Sequence, residues 1–296
     1  MRLHHLNCIS TCPLGGHLMD GRADCLLCRG RLCCHCILAE TPASGLVLVD
    51  TGFGLRDVHE PRTRLSAFFL AMVKPELREE MTARRQIEAL GFKAEDVRHI
   101  VLTHLDFDHA GGLDDFPQAT VHLMETERDA ALARPTWLDR QRFRPQQWSS
   151  RPRWKVYRAG GGDRWFGFAR ARPLEGLPDD IALIPLTGHT LGHAGVALDG
   201  GERWLLQAGD AYFYHEEMHP DAPHCTPGLR FYQWLMEKDR RARFDNQRRL
   251  RELCRDHAEA VEVCCGHDLT EFERLAGRNA AWPASARGPR LAAAAG

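Results

Sequence analysis

The sequence predicts an α/β fold in which two similar halves, each running from strands into helix, pack as one sandwich. Two observations carry this reading. Short apolar runs bounded by turn-forming residues give way twice along the chain to segments of helical periodicity. Strand-like runs also end repeatedly on loops rich in His, Asp and Gly, so one strand-then-loop unit recurs. With 296 residues and 44% hydrophobic content the chain can bury a large core, and 1–284 is expected to form a single domain.

The elements follow in order. Apolar runs at 32–40 and 46–50 flank Thr41-Pro42-Ala43-Ser44-Gly45, which predicts a β-hairpin. Its second strand runs into Asp50-Thr51-Gly52, where glycine permits a sharp exit. Leu77, Met81, Ile87 and Leu90 suit an amphipathic helix over 76–90 closed by Gly91. A buried strand at 97–103 delivers His104-Leu105-Asp106-Phe107-Asp108-His109 and then Ala110-Gly111-Gly112. The stretch 134–172 holds ten Arg and one Lys against two Asp, with Trp137, Trp148, Trp154 and Trp165 between them, and is expected to be an insertion or lid. Strands at 181–185 and 195–198 surround Gly188-His189, and a strand at 204–207 ends at Gly209-Asp210. Helical periodicity over 229–257, broken near 238–242, precedes a strand at 260–264 and Gly266-His267-Asp268. Residues 285–296 are expected to be a flexible tail.

Composition narrows the possibilities. A formal net charge of -1 gives the whole chain no attraction to nucleic acid or anionic membrane. No apolar run reaches the roughly 18 residues of a membrane span, and Met1 to Ser10 lacks the apolar core of a signal peptide, so a cytoplasmic protein is expected. In a reducing compartment the eleven cysteines read as free thiols or metal ligands. Cys25, Cys28, Cys33, Cys34 and Cys36 with His35 could hold a further, thiolate-bound metal, or could pack as small apolar residues. Cys264 and Cys265 are expected to finish a buried strand.

The chemistry-bearing signal is the density of ligands. Imidazole and carboxylate suit zinc, iron or manganese, and His104, Asp106, Asp108 and His109 supply four within six residues. His189, Asp210 and His267 on later loops can complete two metal shells. The run from His104 to Gly112 resembles the HxHxDH motif of the metallo-β-lactamase superfamily, with Asp106 in the second histidine position. Asp50-Thr51-Gly52 resembles the early Asp-containing turn of that family, and Gly188-His189, Gly209-Asp210 and Gly266-His267-Asp268 resemble its later landmarks, in order and spacing.

The resemblance implies an αββα sandwich with the site on one edge. It implies that His104, Asp106 and His189 bind one divalent ion, that Asp108, His109 and His267 bind a second, and that Asp210 bridges them. His189 is preferred over His193 as the ligand. Asp50 and Asp268 are either partners that orient ligands or turn-forming carboxylates. A carboxylate at position 106 adds negative charge and hardens the first site, which brings iron or manganese beside zinc.

The expected activity is hydrolysis by a metal-bound hydroxide, with Asp108 or Asp210 handling the proton. Tyr212 or Tyr214 is expected to stabilise the oxyanion, as a tyrosine after this aspartate does in related lactonases. A small-molecule lactone, including acyl-homoserine lactones, is the leading substrate class; a thioester, a β-lactam and a phosphodiester are the alternatives. The Arg- and Trp-rich stretch offers one further reading, a nucleic-acid surface.

Overall fold

A computed structural model describes residues 1–150, 152–158, 160 and 162–280. Its strands form two six-stranded sheets. The first takes β1 (Arg2–Asn7), β2 (His35–Thr41), β3 (Gly45–Val49), β4 (Val97–Val101), β5 (Thr120–Met124) and β6 (Arg153–Tyr157) in spatial order. The second takes β7 (Asp163–Trp165), β8 (Phe168–Pro173), β9 (Ile181–Pro185), β10 (Ala194–Asp199), β11 (Trp204–Gln207) and β12 (Val261–Cys264), again in chain order across the sheet. Antiparallel neighbours give way to a parallel pair in each half, β3 with β4 and β11 with β12. Parallel neighbours need a crossover. The helix Ala83–Ala89 lies on the first crossover, and Pro227–Met236 and Arg240–Asp256 lie on the second. The two halves are alike in this respect, as the repeated strand-then-helix pattern implies.

Side chains alternate across a strand, and here both faces are covered. Ile37, Ala39, Val47 and Val49 point between the sheets and meet Leu183 and Val196. Their neighbours Cys36, Leu38, Leu46 and Leu48 point outward onto Ala83 and Ile87. Across the molecule Ala182, Ile184 and Leu206 face Leu250 and Leu253 of the long helix. The layers run helix, sheet, sheet, helix, an αββα sandwich. Burial on both faces explains why 32–40 and 46–50 read as continuous apolar runs.

The hairpin forms as β2 and β3, closed by Thr41 Oγ1 donating to Gly45 O at 2.7 Å. The helix expected over 76–90 is shorter. A 3-10 turn, Glu79–Met81, leads to Thr82, whose hydroxyl accepts from the Arg85 N–H, and this cap starts the helix at Ala83. The helical stretch after 229 is two helices. Between them the N–H groups of Lys238 and Asp239 donate to Gly188 O at 2.8 and 3.0 Å, and Asp239 caps the second helix.

Over 134–172, where the sequence suggests an insertion or lid, the chain forms the helix Trp137–Arg142, the edge strand β6 of the first sheet, and β7 and the start of β8 in the second. Trp148 and Trp165 are buried, and Trp154 packs against the first core. Trp148 and Trp165 are therefore unavailable for stacking on bases, whereas Trp137 stays exposed. The tail expected at 285–296 lies outside the described residues. Among those described, no helix is long and apolar enough to cross a membrane.

Candidate metal centre

The loops that leave the C-terminal ends of β4, β9, β11 and β12 bring together His104, Asp106, Asp108, His109, His189, Asp210 and His267, all buried. His104 Nε2 lies 3.4 Å from Asp106 Oδ2 and 3.7 Å from Asp210 Oδ2, and His189 Nε2 lies 3.0 and 3.3 Å from the same two oxygens. On the other side of Asp210, His109 Nε2 and His267 Nε2 are 3.2 Å apart and each 3.2 Å from Asp210 Oδ1. Asp108 Oδ2 flanks this group, 3.7 Å from His267 Nε2. Donors set 2.0–2.1 Å from a tetrahedral ion stand about 3.3 Å apart. Both groups therefore have the dimensions of a coordination cage, and Asp210 gives one oxygen to each.

Three histidines are held in the form that binds metal. His104 Nδ1 is 2.9 Å from Thr103 Oγ1, whose own proton goes to Asp50 Oδ2. His109 Nδ1 is 2.8 Å from Asp50 Oδ2, and His267 Nδ1 donates to Cys33 O at 2.6 Å. With Nδ1–H committed to an acceptor, each ring turns an Nε2 lone pair into the site. His104 Nε2 and Asp210 Oδ1 are buried without a hydrogen-bond partner, which costs about 1–3 kcal/mol for each such group unless something binds there. A pair of divalent cations fits this donor set of three carboxylates and four imidazoles. Close backbone approach is part of the construction. Gly209, at φ 54, crosses so tightly that a Cβ there would stand 2.6 Å from His193 Nε2.

The model of the metallo-β-lactamase superfamily matches residues 29–250. The chain belongs to the metallo-β-lactamase superfamily. This superfamily member is 40% identical over 268 residues to the probable metallo-hydrolase Rv2300c of Mycobacterium tuberculosis, spanning 90% of this chain and 80% of that protein. A shorter stretch of 103 residues is 34% identical to the N-acyl homoserine lactonase of Bacillus cereus, 35% of this chain and 41% of that one. The fold is shared with a solved N-acyl homoserine lactone hydrolase carrying its product, N-hexanoyl-L-homoserine, at its catalytic metal centre, with a TM-score of 0.67 and 20% identity over 92% of this chain and 95% of that one. Family, fold and the paired cages make this chain a metal-dependent hydrolase with a binuclear divalent metal site.

Against the superfamily motif the departure is Asp106, and the structure supplies its partner. Burial would push the Asp106 carboxyl up, but the Arg142 guanidinium and His104 outweigh it and hold the carboxyl well below the usual carboxylate range. Nothing in the sequence spacing links Arg142 to Asp106. The guanidinium offsets the charge that the carboxylate adds, while the oxygen donor stays harder than an imidazole nitrogen.

Glu127 is a second residue that motif reading missed. Its buried carboxylate accepts from Leu105 N–H at 3.0 Å, Thr190 Oγ1 at 2.6 Å and Gly192 N–H at 3.1 Å, so it ties the His104 loop to the His189 loop. His193 is not placed as a ligand. Its Nδ1 bonds Leu186 O and its Nε2 accepts from Asp210 N–H, both at 2.9 Å, which fixes the bridging aspartate. Asp50 orients His109, whereas Asp268 caps the helix Leu269–Ala276 and accepts from His215.

Of the two tyrosines expected at the oxyanion, Tyr212 turns away from the site and Tyr214 lines a small cavity with Phe213 and His267. Tyr212 is fully buried in the second core and its hydroxyl donates to Glu271 Oε1 at 2.8 Å, away from the site. Tyr214 packs against the rings of His215 and His224. The residue between them, Phe213, stacks on His267 at an interplanar angle of 15° and carries no hydroxyl. A third tyrosine, Tyr232 on the helix Pro227–Met236, lines a cavity together with Asp108 and His267.

The five cysteines near the N-terminus do not converge. Cys25 and Cys28 form a disulfide, Cys33 Sγ faces Asp268 O, and Cys36 packs with Cys8 in the first core. Cys34 alone reaches the metal centre, within 4.8 Å of donor atoms of Asp108 and His267. Cys264 and Cys265 are buried in the cores.

Proposed function

We propose that this superfamily member hydrolyses a lactone with an apolar acyl tail, using two zinc ions. One observation carries the choice: the opening above Asp108 and His267 is an apolar cavity of about 400 Å³, a size that holds a small ligand. Leu18 and Met19 from the N-terminal loop, Met72 and Val73 from the helix Ala67–Val73, and Tyr232 and Leu235 form its walls. No Lys or Arg lines it among the described residues, so a phosphodiester or the carboxylate of a β-lactam finds no side-chain cation there. The lactonases similar to this chain, one of them a solved dizinc quorum-quenching enzyme with a TM-score of 0.59, support the same substrate class and metal.

When bound, the two cations supply an activated water and polarise the substrate carbonyl. The chain's own residues do the rest. His104, Asp106, His189 and Asp210 would hold one ion, and Asp108, His109, His267 and Asp210 the other. The apolar walls bind the tail and exclude water from the scissile bond. Burial, with Asp210 and Asp106 nearby, lifts the Asp108 carboxyl above its ordinary range despite His109 and His267. Placed at the cavity floor, Asp108 accepts the proton of the attacking water and returns it to the ring oxygen as the ring C–O bond breaks. The Tyr232 hydroxyl donates to the carbonyl oxygen as it gains charge.

The test is a panel of lactones of graded acyl length assayed beside thioesters, β-lactams and phosphodiesters. Turnover that rises with chain length for the lactones supports the proposal. Absence of lactone turnover by protein carrying two ions would remove it. A cytoplasmic location belongs to the same proposal, supported by nine free thiols and opposed by the Cys25–Cys28 disulfide; cell fractionation placing the chain in an oxidising compartment would refute that part.

A further inference from the structure

Arg142 is fully buried at the end of the helix Trp137–Arg142, and an antiparallel bridge between Phe143 and Asp106 ties this end to the motif loop. The guanidinium lies side-on to Asp106, with Nε donating to Oδ1 at 2.7 Å and Nη2 to Oδ2 at 2.5 Å. Nη1 donates to Met236 O at 2.7 Å, and Nη2 also lies 2.8 Å from His189 Nε2. A guanidinium keeps its charge at any pH the protein survives. Where the superfamily motif has one neutral imidazole, this chain has a carboxylate and a guanidinium, whose charges sum to zero.

We propose that Asp106 and Arg142 act as one charge-neutral unit in place of the motif's second histidine, with Arg142 the positioning residue that sets how tightly the first ion is held. His189 Nε2 has one lone pair, which a guanidinium N–H and an ion cannot share. Entry of an ion at the first position therefore breaks that single contact and leaves the fork to Asp106 in place. With the Asp106 charge cancelled, the first position has only the shared Asp210 as a net negative ligand while the second has Asp108 besides, so the first position is the weaker of the two. The proposal rests on the two-ion centre and not on the lactone reading, and metal counting does not depend on turnover, so the two can fail separately.

The experiment compares wild type, Asp106→His, Arg142→Met and the double variant Asp106→His/Arg142→Met. Metal-depleted protein is titrated with zinc against a chromophoric chelator, bound metal is counted by elemental analysis, and circular dichroism checks folding. Wild type binds two ions in unequal steps. Asp106→His restores the motif's own histidine yet leaves the guanidinium unpaired, and the weaker step loses about 10–100-fold in affinity. Arg142→Met strengthens that step, and the double variant returns to within about tenfold of wild type. Asp106→His binding both ions as tightly as wild type would overturn the proposal. So would a folded double variant that binds no better than Asp106→His. Arg142→Met leaves a buried unpaired carboxylate; if its metal-free form does not fold, the double variant, with no unpaired charge, still decides the matter.

Discussion

His189 and His193 stand four residues apart on one loop, yet their nitrogens have different employment. His193 is satisfied by Leu186 O and Asp210 N–H, while His189 Nε2 faces two carboxylate oxygens. His189→Ala is expected to remove one of two bound ions, whereas His193→Gln keeps two ions with affinity lowered about 10–100-fold; elemental analysis and zinc titration check both. The tyrosines separate in the same way. Tyr232→Phe is expected to lower kcat about 100-fold or less, and Tyr212→Phe and Tyr214→Phe to leave it near wild type, as steady-state lactone hydrolysis would show. The seven ligand candidates were legible in sequence because four fall within six residues and the others follow short glycine-marked signals. Arg142, Glu127 and Tyr232 were not, because tertiary folding alone brings them to the loops they serve. Tyr212 misled because proximity in sequence to Asp210 says nothing about which way a side chain turns.

At the level of elements, the N-terminal loop carries Leu14, Gly15, Leu18 and Met19 into the cavity wall. Its backbone is tied to the disulfide turn, with Gly15 N–H donating to Cys28 O at 3.2 Å and His17 N–H to Cys25 O at 3.3 Å. Replacing both cysteines by serine should raise KM for long-chain lactones about 2–10-fold, the cost of ordering roughly one side chain, with kcat little changed. The helix Leu269–Ala276 carries a different signature. Burial, with Asp268 nearby, lifts Glu271 from 4.5 to about 8, although Cys265 N–H and Tyr212 donate to it. The folded chain thus keeps a proton that the unfolded chain releases above about pH 4.5, so this group costs stability as pH rises from about 4.5 to about 8 and no more beyond. Melting temperatures of Glu271→Gln measured across that range should fall less with pH than those of wild type. Strand runs such as 181–185 and 204–207 were legible because both faces are largely buried and the residues, Gln207 apart, are apolar. The helix over 76–90 was overread, since its apolar spacing continues across a Thr82 cap that stops the backbone from following it.

For the whole molecule, the sandwich places the site where the two halves meet. His104, Asp106, Asp108 and His109 come from the first, and His189, Asp210 and His267 from the second. Neither half contains a complete cage. An ion that binds only the assembled form adds its binding free energy to folding, about 4 kcal/mol at a free concentration 1,000 times Kd. Stripping metal with a chelator is therefore expected to lower the melting temperature, and adding back zinc to restore it. An unchanged melting temperature on proven metal loss would contradict this.

The shared oxygen pair of Asp210 carries that dependence one step further. One carboxylate serves both cages, so the ions work as rivets through a common plate, and loosening either frees the plate for both. Scarcity of metal would then shorten the survival of the protein itself: a pulse-chase in zinc-starved cells should show faster loss of the chain, before any assay of its turnover is run.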